Sequence, residues 1–453
     1  MATWEYCASL FGPYFVIFIV CIGHTSFFLI SVTLSWTSPV LAKLGEAEDN
    51  PLGRPITTDE SDLIGSLFFV GASVGPLLFI HIVKKFGRKK VLVLLLTIVP
   101  IAYGMLIFVK KVEYYYLSRI LLGLYSGATL SVVPVYLSEI IAPDDVAFLM
   151  SFETLFGFTG ILITYTLGSF IPLKYFNGSI VVFSVIVIIL LSFGCPESPY
   201  YMMQVKGKDE ARRVLRRLRK QYIEKELEHI EKTIENETSK SYFEIFKSKK
   251  YFKTIILATI PLLLQQFCGI TLIVTYSQLI FQETKLPLAP HICSIIVVGL
   301  LEVTCFLAPT LLKSKRLSLK NIMTLSLAGT AICNLVISIY FFYGKNLPAL
   351  NWVPLVSLIL FVVFFNCGMD PIAWTILGQT YPRNISFVGT ALSTSVYFIS
   401  IFPILYSFYK VDMTYLFLGS FFSCTFGVIY VRFIFEGSEK KVVEDIHLQK
   451  ALI

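Results

Sequence analysis

About twelve apolar stretches, each long enough to cross a bilayer, run along this chain, and one polar insert from Pro196 to Lys253 divides them six and six. Hydrocarbon offers no water to exposed backbone N–H and C=O groups, so a run of that length is stable there only as a helix. The chain is therefore expected to be an all-α polytopic membrane protein with twelve transmembrane helices. Composition agrees: 55% of residues are hydrophobic, 15% are charged and mean hydropathy is +0.73, far above a soluble domain. The spans are expected near 11–36, 62–83, 91–109, 115–138, 148–171, 178–195, 254–281, 289–312, 319–343, 352–378, 386–409 and 414–435. They imply an N-terminal six-helix bundle over 1–195, a linker with short amphipathic helices over 196–253, a C-terminal six-helix bundle over 254–435 and a tail over 436–453.

Charge placement sets the orientation. Lys84, Lys85, Arg88, Lys89 and Lys90 follow the second span, and Lys313, Lys315, Arg316 and Lys320 follow the eighth, so the positive-inside rule puts both loops in the cytosol. The segment after the first span carries Glu46, Glu48, Asp49, Asp59 and Glu60 and belongs on the far side. An even number of crossings leaves both termini cytoplasmic, and the plasma membrane is the expected location. The net charge of +8 resides in a few loops and implies no nucleic-acid partner. Nine cysteines, mostly inside apolar segments and without CxxC spacing, read as core thiols rather than a metal or disulfide framework. No cofactor is expected. The five histidines show no HExxH spacing, and neither a phosphate-binding glycine loop nor a nucleophile elbow occurs, so enzyme chemistry is not expected.

Within the insert, Arg212, Arg213, Arg216, Arg217 and Arg219 precede Glu224, Glu226, Glu228 and Glu231, while Leu215, Leu218, Leu227 and Ile230 recur near helical spacing. Short amphipathic helices on the cytoplasmic face fit this pattern. They serve either as a solvated linker or as a latch touching both halves in one state; the mixed charge argues against a purely lipid-binding patch.

Basic clusters recur after spans two and eight, and Leu137-Ser138-Glu139 in span four is echoed by Leu377-Gly378-Gln379 in span ten. Duplicated halves that rock about a solute near the midplane are the mechanism such symmetry suggests. Six motifs then carry a specific resemblance. Gly87-Arg88-Lys89-Lys90, Ser118-Arg119 with Gly123, Pro134-Val135-Tyr136-Leu137-Ser138-Glu139, Pro196-Glu197-Ser198-Pro199-Tyr200-Tyr201, Gln265-Gln266-Phe267-Cys268-Gly269, and Gly368 with Pro371-Ile372-Ala373-Trp374 resemble the sugar porter family of the major facilitator superfamily, in order and over essentially the whole chain. Trp36-Thr37-Ser38-Pro39 is similar to the insect facilitated trehalose transporters within that family. The resemblance implies facilitated transport of trehalose or a hexose by alternating access. The expected partners are that small sugar and the lipid bilayer, with the monomer as working unit.

Amides donate and accept hydrogen bonds, which suits sugar hydroxyls, so Gln265 and Gln266 are candidate substrate contacts. Consecutive helix positions cannot both face one cavity squarely, and a polar packing pair is the plainer alternative. Trp374 offers a flat apolar face and an indole donor for a sugar ring; an interface anchor is its alternative. On the cytoplasmic side, Arg88, Arg119, Glu139 and Glu197 are read at helix ends, where the resemblance implies pairs holding the inner gate shut when the carrier faces outward. Topology-setting charge is the alternative for Arg88.

Departures from the family pattern matter equally. Lys84 stands where an Asp is usual, Val146-Ala147 where Arg-Gly is usual, and Gln379 and Ser386-Phe387 replace their counterparts in the second half. Half of the latch lacks partners, so a weaker preference for the outward state is expected. In the sugar site Thr271 replaces an Asn, Thr275-Tyr276 a tyrosine pair, and Phe158 and Tyr397 two amide positions. Glu302 and Asp370 stand where relatives carry Asn and Gly. A carboxylate at a helix centre costs on the order of 3 kcal/mol and normally faces a wet cavity. Three roles stay open for this pair: accepting sugar hydroxyls, taking up a proton in coupled transport, or attracting a cationic solute. Protonation and bonding to a neighbour is the plainer fourth. The first span holds no acid from Phe11 to Trp36, where proton-coupled relatives often carry one, so facilitated diffusion is the default. A sugar sensor that binds without flux is a further alternative.

Overall fold

The computed structural model describes residues 3–47, 50–108, 110–219, 223–237, 249–304, 318–381 and 383–433. Among them there is no strand, and helices succeed one another along the chain. In the first half these are α1 (Thr3–Phe11), α2 (Phe15–Ser35), α3 (Thr37–Leu44), α4 (Thr58–Phe86), α5 (Arg88–Phe108), α6 (Val112–Ile140), α7 (Val146–Met150), α8 (Phe152–Phe170) and α9 (Leu173–Gly194). The insert holds α10 (Pro199–Lys206), α11 (Lys208–Leu218) and α12 (Ile223–Glu237). The second half holds α13 (Lys249–Phe267), α14 (Ile270–Gln282), α15 (Pro290–Thr304), α16 (Leu319–Tyr343), α17 (Val353–Phe364), α18 (Asp370–Thr380), α19 (Arg383–Tyr406) and α20 (Met413–Phe433).

Eleven stretches of the described residues are long and apolar enough to cross a membrane, and α15 is a shorter apolar helix at the expected eighth crossing. The rest of that crossing, the basic cluster at Lys313, Lys315 and Arg316, Cys305 and the tail lie outside the described residues. Eleven full-length crossings thus stand where twelve are expected. Another boundary moves as well: α13 begins at Lys249, earlier than expected, because the helix continues through its basic first turn.

Local chemistry explains where helices start and stop. Thr57 accepts from the Glu60 amide at 3.2 Å while the Glu60 carboxylate accepts from the Thr57 amide at 2.9 Å, a reciprocal cap that opens α4. At its other end Gly87, with φ +96°, lets the chain turn directly into α5.

The tightest packing joins α4 and α6. Gly71-Ala72-Ser73-Val74-Gly75 on one and Gly123-Leu124-Tyr125-Ser126-Gly127 on the other are small-residue repeats that let backbones approach in the absence of a hydrophobic drive between helices. A Cβ on Gly123 would lie 1.9 Å from the Phe68 carbonyl oxygen, and one on Gly71 2.0 Å from that of Ile120. Across the molecule α4 packs on α19 and α8 on α15, so the second span of the first six meets the fifth of the second six, and the fifth of the first six meets the second.

Hydrogen bonds between the two sets of spans gather at the end away from the Arg88 loop. The Gln278 amide donates to Ser38 Oγ at 3.1 Å and its side chain to Ser169 Oγ at 2.6 Å. Tyr165 donates to the Val274 carbonyl at 2.6 Å, the Tyr409 amide to Asp62 Oδ1 at 3.4 Å, and Lys410 pairs with Asp59 at 3.3 Å. These bonds tie the two sets of spans together at that face.

At the opposite, basic face the insert is anchored to the first half. Arg219 donates to the carbonyls of Ile140 and Ile141 at 2.7 and 3.0 Å, Tyr201 donates to that of Lys85 at 3.1 Å, and Arg213 pairs with Glu5 at 2.7 Å. Leu215, Leu227 and Ile230 are buried between its helices. Of the two roles open for the insert, the described residues display only the attachment to one half.

Substituting Gly123 by alanine is expected to lower stability by roughly 1–3 kcal/mol through overpacking, whereas Gly104→Ala, with open space at its Cβ, is expected to be neutral or stabilising. Thermal midpoints of the two purified variants in the same detergent check this.

Candidate functional site

Two crossings of the second half are interrupted at mid-depth, and the breaks create the site. The α13 helix ends at Phe267, Gly269 turns left-handed at φ +104°, and α14 starts at Ile270. The Cys268 carbonyl at this break accepts from Asn334 Nδ2 at 2.8 Å. Between α17 and α18 the chain makes a π turn over Phe365–Met369. Ser326 supports it by donating to the Phe364 carbonyl at 2.7 Å and accepting from the Met369 amide at 2.9 Å. Asn366 donates to the Leu301 carbonyl at 2.9 Å and to Thr304 Oγ1 at 2.8 Å. Non-helical backbone at membrane depth is tolerated only when protein satisfies it in this way, and π turns concentrate at functional sites.

The two breaks bring together five of the six expected substrate residues. Gln265 donates from Nε2 to Asp370 Oδ1 at 2.8 Å. Gln266 donates to the Tyr397 carbonyl at 3.3 Å and accepts from the Thr271 hydroxyl. Trp374 stands edge-on to the Tyr397 ring with centroids 5.5 Å apart. Gln265 and Gln266 are buried, yet Gln265 Oε1 has no hydrogen-bond partner among the described residues; Asp370 and Trp374 are half-buried. The sixth residue, Glu302 on α15, accepts instead from the Thr159 hydroxyl of α8 at 2.7 Å, a bond that joins the two sets of spans.

A further carboxylate escapes the sequence reading. Glu153, in the first turn of α8, is a half-buried acid within that span. Its sequence signal is an acid at the entrance of an apolar span with no basic neighbour within a helical turn.

Three of the four expected gate residues come together at the basic face. Arg88 pairs with Glu139 at 2.8 Å, Ser198 donates to the second oxygen of Glu139, and Glu197 Oε1 accepts from the amides of Arg88, Lys89 and Ser198 at 2.9, 2.9 and 3.0 Å. A Cβ at Gly87 would meet Glu197 at 2.5 Å, so glycine there keeps the approach open. All these partners belong to the first six spans and the insert, rather than bridging to the second half.

Arg119 does not join them, which corrects its assignment to the inner gate. It lies 20 residues before Glu139 on one helix, hence about 30 Å away along the axis. There it is fully buried, donating to the carbonyls of Thr33 and Ile64 at 2.6 and 3.0 Å. The Phe68 and Trp36 rings flank its guanidinium at 4.7 and 5.6 Å, an arrangement that offsets desolvation with π faces and carbonyl dipoles.

The profile of the sugar (and other) transporter family matches residues 16–445. The chain belongs to that family. It is 27% identical over 448 residues to a facilitated trehalose transporter of Bombyx mori, covering 95% of this chain and 85% of that protein. It is 31% identical over 386 residues to one of Apis mellifera ligustica, with coverage of 82% and 74%. Among solved structures it resembles the inward-open xylose transporter XylE of E. coli, with a TM-score of 0.76 at 17% identity, covering 92% of this chain and 96% of that one. The fold is that of a major facilitator transporter, and the protein is a multi-pass membrane protein.

Arg88 and Glu139 are only 13% and 12% exposed. Removing one partner of a largely buried pair is costly, so Arg88→Ala is expected to destabilise by about 2–4 kcal/mol. Arg88→Ala combined with Glu139→Gln is expected to cost clearly less than the sum of the two single changes, as read from thermal midpoints in a double-mutant cycle.

Proposed function

We propose that the protein carries trehalose or a hexose across the plasma membrane by facilitated diffusion with alternating access, both termini in the cytosol and the monomer as working unit. The six-plus-six spans act as two bundles that rock about the mid-depth cluster. The observation that carries this reading is the set Gln265, Gln266, Thr271, Asp370 and Trp374 assembled by two supported helix breaks. It presents amide donors and acceptors beside an indole, the combination that sugar hydroxyls and a sugar C–H face require. The unpartnered Oε1 of Gln265 is a ready acceptor for a hydroxyl. Facilitated trehalose transport by the insect relatives supports the substrate class.

The bonds between bundles favour an outside-closed state in this structure. They gather at the face opposite Arg88, while the Arg88–Glu139–Glu197 cluster holds the first bundle to the insert. Rocking breaks the first group and brings the basic ends of the bundles together.

A coupled mode is favoured by one observation, the Asp370 carboxylate held half-buried beside Gln265 within the cluster. A carboxylate at membrane depth beside a substrate site is a candidate for proton or cation uptake. Glu302, already bonded to Thr159 across the interface, is assigned to holding the bundles.

Reconstituted protein in liposomes is expected to show saturable uptake of labelled trehalose or glucose, reduced at least about tenfold by Gln266→Ala and by Trp374→Ala, since each removes one or two contacts of roughly 1–2 kcal/mol. Sugar binding with no flux would overturn transport in favour of sensing. Facilitated diffusion further predicts that flux changes little between mildly acidic and neutral pH in wild type, Glu302→Gln and Asp370→Asn alike. A pH-dependent flux that Asp370→Asn abolishes assigns the coupled mode.

A further inference from the structure

The insert contains a charged cavity for which solute transport has no use. Helix α11 buries Ala211, Val214, Leu215 and Leu218 and turns Arg212, Arg213, Arg216 and Arg217 to the other side. With Glu5 of α1 and Asp209 these arginines line an open cavity of about 580 Å³. Four guanidinium groups face two carboxylates.

The carboxylates near this cavity are already committed. Glu5 bonds Arg213 at 2.7 Å, with Glu210 at 3.6 Å from the same side chain. Arg212 takes Asp209 and Glu224, each at 2.9 Å, and its hydrogen bond holds Glu224 below the usual carboxylate range. Arg219 points away to Glu226 and the end of α6. Among the described residues Arg216 and Arg217 form no hydrogen bond or ion pair, and both are exposed. Two unpaired planar forks at the mouth of a cavity suit a bidentate oxyanion such as phosphate.

The position of the cavity selects the source of that phosphate. Helix α1 packs on α2 and α9 at the start of the first crossing, and its neighbourhood sets Tyr6, Leu10 and Tyr14 two-thirds exposed. Exposed tyrosines and a leucine flanking the entrance of a span mark the headgroup level of a bilayer. Glu5 stands on this same helix, so the cavity opens at the depth where lipid phosphates lie.

We propose that the α1–α11 cavity binds the phosphate of an anionic lipid headgroup, with Arg216 and Arg217 as its ligands and the Glu5–Arg213 bond as the positioning contact. This goes beyond sugar transport and does not depend on it. The mixed charge of the insert, which on sequence alone argues against a purely lipid-binding patch, is resolved by pairing: the acids neutralise their own partners and leave these two arginines to the ligand.

Full-length protein in neutral detergent provides the test, titrated separately with short-chain phosphatidic acid, phosphatidylcholine and inorganic phosphate. Wild type is expected to bind phosphatidic acid saturably and to bind the other two at least about tenfold more weakly. Arg216→Gln with Arg217→Gln is expected to weaken phosphatidic acid binding about tenfold or more, from the worth of two basic residues at an anionic surface. The paired Arg→Lys variant retains charge but loses the fork and is expected to fall between. Lys206→Gln with Lys232→Gln removes equal charge from exposed positions elsewhere on the insert and is expected to stay within about twofold of wild type. Equal binding by the Gln pair and wild type would overturn the site. Inorganic phosphate bound as tightly as phosphatidic acid would overturn the lipid assignment in favour of a soluble phosphate. An unchanged lipid-free thermal midpoint certifies that each variant folds, and because no sugar enters the assay, failure of the transport reading leaves this result interpretable.

Discussion

Backbone hydrogen bonding in a medium without water is the constraint on which the rest of this structure depends. Every N–H and C=O inside the bilayer needs a partner from the protein, which makes uninterrupted helices the default and any interruption expensive. This chain interrupts two crossings, at Gly269 and over Phe365–Met369, and supplies Asn334 and Ser326 to bond the freed groups. Side chains on an unbroken helix are spaced by its own geometry; at a break they converge. Gln265 and Asp370 meet because each lies beside such a break on a different crossing.

The same scarcity of water governs the charged residues. Arg88, Glu139 and Glu197 sit where α4, α5, α6 and the insert come together, where Arg88 pairs with Glu139, Glu197 accepts from backbone amides and Ser198 donates to Glu139. Among the described residues Arg119 has no carboxylate partner and is accommodated by carbonyls and aromatic rings instead. Its neighbour Trp36 is fixed in turn by donating to Asn177 at 2.9 Å, so the residues at the end of the first crossing act as a rigid wall for that half. Bonds between the two halves are fewer and are concentrated at one face, which leaves them the contacts that a rocking motion has to exchange.

Much of the fold was legible in the chain because its signals are local. Span length, basic loops and the polar insert depend on composition over short windows, and the helices follow them closely apart from the early start at Lys249 and the short described part of the eighth crossing. The family motifs singled out Gln265, Gln266 and Trp374, and a departure from them Asp370, and the structure sets these four close together. Glu153 passed unselected, since an acid at the entrance of an apolar span belongs to none of the motifs. The grouping of Arg119 with Glu139 failed for a simpler reason: 20 residues of helix separate them, and a shared helix does not mean a shared end.

By itself the sequence determined that this chain lives in a bilayer, which loops are basic and which family it resembles, because each of these is a property of contiguous residues. Tertiary structure alone decided which acid pairs with which base, that Glu302 meets Thr159 rather than Asp370, and that among the described residues Arg216 and Arg217 on α11 take no partner. Partnerships of that kind depend on the relative rotation and depth of separate helices, which local periodicity does not encode.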